Sequence, residues 1–340
     1  MKSKSIMLFF IFAQFLFASF AYSAENTGAT IVQMDKAEVI IYGENMRGGL
    51  INRLNELETV LFGRSLPGSI SERQMQLLNF IQGGSAEQPS LLFKLGVAEW
   101  AVSQTIQPFI PALGRLQKLE QELDGAIQEG RPVSMRVERI LSMILTDPVT
   151  RVELTVSSDK AVRAQILEEI GPGKSRKGDS VKIELLEDFT IDNCLIAPKG
   201  SRIVSEVSDV IRRGAFGRSG EVKLELKHLQ ILGPEEPKVK VADPKELRER
   251  GYKNVVAAAG LSMVGGIILG PLGLATGLLI QGDSLNIKAG TQFYIELAER
   301  AKLSAYLIPD GLRINDDPSD GGAGSGSDNS DLDLIDIPEE

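Results

Sequence analysis

Residue types able to do chemistry are scarce in this chain. It holds one histidine, His228, and one cysteine, Cys194. A Ser-His or Cys-His triad would need His228 itself, and a three-histidine or Cys/His zinc site cannot be assembled. His228 stands in an alternating run, Val222, Leu224 and Leu226 against Lys223, Glu225 and Lys227, and is expected on the surface or edge of a strand. Gly171-Pro172-Gly173-Lys174-Ser175 has the closing half of a phosphate loop, but Glu168 stands where the opening glycine is required. Gly217-Arg218-Ser219-Gly220 approaches a nucleophile elbow, but Glu221 replaces its final glycine. Both read as turns. Glu184, Glu187 and Asp188 cluster near an expected strand end, where a glycosidase pair or cation site would be built, though exposed strand ends are ordinarily charged. Arg202, Arg212, Arg213 and Arg218 form a basic group whose planar donors suit lipid phosphate or an acidic partner segment. No catalytic, cofactor-binding or metal-binding residue is assigned, no cofactor is expected, and the protein reads as non-enzymatic.

The elements that would carry these residues divide by periodicity. Over residues 30–150 the pattern is helical and repeats internally. Tyr42-Gly43-(x)4-Gly48-(x)4-Arg53 recurs as Phe62-Gly63-(x)4-Gly68-(x)4-Arg73, and Arg53-Leu54-(x)2-Leu57-Glu58 recurs as Arg115-Leu116-(x)2-Leu119-Glu120. Leu54, Leu57 and Leu61 fall on one helical face, as do Leu116, Leu119, Leu123 and Ile127. Gly63 and Gly125 stand where such helices should stop. One short amphipathic helix cannot bury its stripe alone, so neighbouring units must pack together. A further helix is expected over Ser90 to Thr105, ended by Pro108 and Pro111.

From residue 151 the period becomes two, in Val152/Leu154/Val156, Val181/Ile183/Leu185, Val222/Leu224/Leu226, Val239/Val241 and Phe293/Ile295/Leu297. Turn signals at Gly171-Pro172-Gly173, Pro198-Lys199-Gly200, Gly217 to Gly220 and Gly233-Pro234 separate them, as in an antiparallel barrel or sandwich. Ile196-Ala197-Pro198-Lys199-Gly200-Ser201 recurs loosely as Ile287 to Thr291, and both glycines are expected in turns of positive φ. The fold class is therefore α+β: a helical repeat bundle at 30–150, then a β-barrel or sandwich domain at 151–313. Residues 314–340, rich in Gly, Ser and Asp, bury too little apolar surface to fold alone and are expected to be disordered.

Met1-Lys2-Ser3-Lys4, an apolar stretch from Ile6 to Phe20 and the small residues of Ala21-Tyr22-Ser23-Ala24 form the parts of an export signal over residues 1–24. A single cysteine in an exported chain favours a bacterial envelope, the periplasm or outer membrane. The net charge of −9 is mostly acidic tail, and no nucleic-acid partner is expected.

No charged residue occurs from Val255 to Ile280. Pro271 divides this run, and Gly266-(x)3-Gly270 and Gly273-(x)3-Gly277 place small residues four apart, a spacing that lets helices approach closely in lipid. A hairpin of two short helices over 255–280, dipping into a membrane, is expected, with Gly266, Gly270, Pro271, Gly273 and Gly277 as its packing residues. Burial of the same run against the sheet is the alternative.

Two resemblances follow. The Phe-Gly…Arg-Leu…Leu-Glu units are similar to short helical repeats of bacterial envelope proteins. Leu195-Ile196-Ala197-Pro198-Lys199-Gly200-Ser201-Arg202-Ile203, Gly217 to Gly220 leading into Val222 to Leu226, and Ile287 to Phe293 after the apolar run resemble the C-terminal β-barrel domain of bacterial conjugation and type IV secretion scaffold proteins. That resemblance spans about 178–300. It implies a distorted barrel with a helical hairpin inserted between strands and reaching the outer membrane. The expected role is a structural one at the outer membrane, its periplasmic side, with an envelope protein partner held by the repeats and homo-oligomers admitted. A soluble periplasmic binding or assembly module is the alternative, and a wall-active hydrolase using paired carboxylates a third reading.

Overall fold

The computed structural model describes residues 30–212, 221–252, 277–281 and 287–312. Six α-helices among them precede the first strand: α1 (30–42), α2 (Leu50–Phe62), α3 (Ile70–Leu78), α4 (Leu91–Ser103), α5 (Ala112–Leu123) and α6 (Val133–Ile144). The local reasons are visible in the sequence. Gly63 closes α2 in the left-handed region at φ 74°, its N–H donating to Thr59 O. Ser69 and Glu72 form a reciprocal capping box at the start of α3. Ser90 caps α4 by accepting the N–H of Phe93. The end of α4 corrects the expectation of a proline stop: Gln104 adopts φ 54° and terminates the helix before Pro108 is reached.

The helices form two matched sets of three, tied by the same device. Glu38, Glu58, Glu99 and Glu120 are buried, and each accepts the fork of an arginine 15 or 16 residues further on: Arg53, Arg73, Arg115 and Arg136. Each also accepts the backbone N–H eight residues on, at Met46, Leu66, Gln107 and Gln128. One carboxylate thus fixes the turn after its own helix and clamps the next helix to it. The third helix of each set carries leucine, Leu78 and Leu141, where the glutamate would recur. The sets interlock through their turns. A Cβ on Gly43 would lie 2.6 Å from Pro111 Cγ, and one on Gly63 would lie 2.8 Å from Pro132 Cγ. A π-helical turn, Asn79–Gly83, links the sets.

Strands follow from Val152. One sheet has the order β1 (Val152–Val156), β11 (Ala301–Leu307), β5 (Cys194–Ala197) and β4 (Phe189–Ile191). The larger runs β8 (Val239–Val241), β10 (Gln292–Leu297), β2 (Val162–Ile166), β3 (Ile183–Leu185), β6 (Arg202–Ile211), β7 (Glu221–Leu229) and β9 (Gly277–Gln281). Every ladder is antiparallel. The larger sheet nearly closes into a barrel, because His228 on β7 pairs with Lys238 beside β8 and the Leu229 N–H donates to Pro237 O at 3.0 Å. Alternate residues fill its interior, among them Ala164, Ile166, Ile183, Ile203, Leu224 and Ile295. Gly200 and Gly290 both take φ 85° in their turns. The short helix α7 (Pro244–Glu249) follows β8.

The last residues of the expected apolar hairpin are sheet rather than helix. Gly277 opposes Glu225 and Gln281 opposes Glu221 across the β7–β9 ladder, so Gly277–Ile280 is extended and paired. Gly266, Gly270, Pro271 and Gly273 lie outside the described residues, as do residues 1–24, expected to form an export signal, and the expected disordered tail at 314–340. Among the described residues no helix is long and apolar enough to cross a membrane. Helices and sheets belong to one compact unit ending at Ile308; a second unit begins at Pro309, where Asp310–Leu312 forms a 3-10 turn.

A candidate binding groove between repeats and barrel

Helix α4 seats the repeats on the barrel. It is apolar nearly all round, burying Leu91, Phe93, Leu95, Val97 and Trp100, as a helix enclosed on every side must be. The Trp100 indole N–H donates to Asp188 at 2.7 Å, and the same carboxylate accepts the Lys199 N–H at 2.6 Å. Trp100 also meets the Tyr306 ring edge-on, centroids 6.4 Å apart. The loop after α4 lies against the Pro198-Lys199-Gly200 turn, with the Ile106 N–H donating to Lys199 O at 2.9 Å. A Cβ at Gly200 would stand 2.4 Å from Ile106 O, so only glycine allows this approach. Gly96 serves likewise, its missing Cβ leaving room for Leu232.

Beside this seam opens a groove of about 610 Å³, within the size range of small-molecule sites. Its apolar wall is the Ile106-to-Pro111 loop with Ile231 and Leu232. Its polar wall is sheet: Ser180, Lys182, Arg202 and Gln230, with Glu168, Glu235 and Glu236. The acids are largely engaged. Glu168 accepts the Lys182 N–H, Glu235 takes the N–H and hydroxyl of Ser304, and Glu236 stands 3.8 Å from His228. Arg115, which also lines the groove, is forked to Glu99, but the two cations of the sheet wall have no carboxylate partner among the described residues. Arg202 lies over the Phe109 ring, 5.4 Å from its centroid, and makes one long hydrogen bond, 3.4 Å to Ser180 Oγ. Its Nε is shielded from water without an acceptor among the described residues. Lys182 is exposed and forms no ion pair there.

The arginines expected to act as one group are divided. Arg202 opens β6 and Arg212 follows its end, roughly 30 Å along an extended strand. Arg202 faces the groove, Arg212 is exposed elsewhere, and Arg213 and Arg218 lie outside the described residues. A strand places sequence neighbours far apart, which proximity in sequence conceals.

The carboxylates weighed for hydrolysis carry structural bonds. Glu187 accepts the backbone and side-chain N–H groups of Arg163, Glu184 accepts from Gln165, and Asp188 holds Trp100 and Lys199. Gly171 to Ser175 is a turn in which Ser175 Oγ accepts the Gly171 N–H. Cys194 is buried in β5; burial, then the nearby Asp192, pushes its thiol above the ordinary range. Among the described residues no group of three or more His, Cys, Asp or Glu side chains converges as a metal ion would require. No family model, curated protein or solved structure matches the chain.

Proposed function

We propose that this protein is a non-enzymatic component of a bacterial cell envelope. In this reading the barrel holds an apolar helical hairpin against the periplasmic side of the outer membrane, while the helical repeats hold an envelope protein partner. The observation that carries the reading is that β8, before the apolar run, and β9, formed by its last residues, are strands of one sheet. The described residues before the run end at Tyr252, and the chain is paired into the barrel again at Gly277. A single crossing of a bilayer would put these strands on opposite sides, whereas a hairpin returns the chain to its own side. About 20 apolar residues are needed for one helical span. Between Tyr252 and β9, Gly270-Pro271 leaves runs of 17 and 5 residues, room for one short helix and a brief return into one leaflet rather than for two helices. On the repeats, Val32, Ile51, Met75, Met135 and Met143 are exposed apolar side chains available to a partner.

One observation favours the alternative, a soluble periplasmic module with the insertion folded as core: the end of the apolar run is β9, sheet rather than lipid-facing helix. Washing native envelopes with carbonate or high salt separates the two. Retention in the membrane pellet supports the hairpin; release into the soluble fraction supports the soluble module.

A further inference from the structure

We propose that the groove between the repeats and the barrel is a binding site for an organic phosphate, a dianionic phosphate monoester carried on an apolar body. This does not depend on how residues 253–276 are disposed.

The guanidinium of Arg202 supplies the first reason. It can donate five hydrogen bonds and makes one, at the long distance of 3.4 Å. Its Nε is removed from water without an acceptor, a state that is costly for a buried donor. Stacking on Phe109 fixes the plane of the fork, so little freedom remains to be lost when an anion binds. Charge supplies the second. Lys182 lines the same groove two positions from Ser180 and, like Arg202, has no carboxylate partner among the described residues. Arg202, Lys182 and the Ser180 hydroxyl together offer several donors to a phosphate monoester, which carries nearly two negative charges at neutral pH. Glu168, Glu235 and Glu236 also line the groove, the first two accepting backbone N–H groups and the third 3.8 Å from His228. Recognition therefore rests on the donors of Arg202 and Lys182 rather than on a net positive lining. Shape supplies the third. The opposite wall, with Ile106, Phe109 and Ile231, offers apolar surface to the body of the ligand, and inorganic phosphate would leave it unused.

A lipid headgroup and a soluble metabolite can present the same phosphate. The test is therefore run in two arms on the full chain without its export signal. Phenyl phosphate and inorganic phosphate are titrated calorimetrically; sedimentation with phosphatidylcholine vesicles, with and without phosphatidate, reads the lipid source. Phenyl phosphate is expected to bind at least tenfold more tightly than inorganic phosphate. Arg202→Met, which keeps an apolar contact with Phe109, and Lys182→Met, on an exposed side chain, should each weaken binding by tenfold or more. Lys302→Met, removing an exposed cation of β11 outside the groove, should not. Binding in the vesicle arm alone, lost in both groove variants, assigns the phosphate to a lipid. Binding in neither arm by folded protein, or equal binding by both groove variants, overturns the proposal.

Discussion

Glu120 and Arg136 form a buried two-point ion pair, Nε to Oε1 at 2.7 Å and Nη2 to Oε2 at 2.6 Å, with side chains 1% and 4% exposed. The same carboxylate accepts the Gln128 N–H. The pair joins α5 to α6 and, with its three counterparts, turns a row of short helices into a fixed array. Neither charge can be left alone in such a place.

Arg136→Met is expected to cost about 3–5 kcal/mol, because it strands a buried carboxylate. Glu120→Leu combined with Arg136→Met should recover only part of that, since the Gln128 N–H then loses its acceptor. Urea unfolding of the three proteins checks the order: native, double variant, single variant.

Gly63 and Gly125 occupy matched positions after α2 and α5, at φ 74° and 71°. Only Gly63 has a neighbour in the way, Pro132 Cγ at 2.8 Å from where a Cβ would sit; Gly125 faces open space. Gly125→Ala should cost about 1 kcal/mol, the price of the left-handed backbone. Gly63→Ala should cost a further 1–3 kcal/mol or so through overpacking at the junction of the two helix sets. Equal unfolding midpoints for the two variants would show that the turns do not interlock.

Asp188→Ala removes the acceptor of both the Trp100 indole and the Lys199 N–H. It should lower stability by about 1–3 kcal/mol for each donor left without a partner. Trp100 is the sole tryptophan, so its fluorescence reports on the seam alone. In the native protein that signal and far-ultraviolet circular dichroism should be lost together, because helices and sheets form one unit.

Tyr42 and Tyr306 are each pushed up to about 12, first by burial and then by the carboxylates near them, Glu56 and Glu38 for Tyr42 and Asp147 for Tyr306. The folded state holds these protons more tightly than the unfolded chain does. Stability should therefore be intact below about pH 10 and fall as the pH rises through the folded values. Phenolate absorbance should show both rings un-ionised at pH 11 in folded protein and ionised once urea is added.

Much of this fold was legible. The Arg53, Arg73 and Arg115 spacings gave the repeats, because a helical stripe recurs in sequence whenever it recurs in space. Val152/Leu154/Val156 and the similar runs gave five of the strands. Some of what escaped was non-local or atypical, though β2 and β6 went unread despite their alternating burial. The Glu58–Arg73 and Glu120–Arg136 pairs span 15 and 16 residues with a turn between them, beyond any helical spacing rule. Strands β5 (Cys194–Ala197), buried on both faces, and β9 lack the alternation that marks half-buried strands. The groove was readable only at Arg202. Phe109 and Lys182, far from it in sequence, reach it through the Ile106–Lys199 contact and through β3 beside β6.

Residues 253–276 are proposed to meet a membrane while the barrel folds without them. The direct measurement is flotation on liposomes of bacterial lipid, comparing the chain from residue 25 onward with a variant of it in which a short Gly/Ser linker joins Tyr252 to Gly277. The native chain should float. The variant should stay in the dense fraction with the Trp100 emission of the folded protein. A native chain that remains with the soluble fraction, or a variant that cannot fold, would contradict the account.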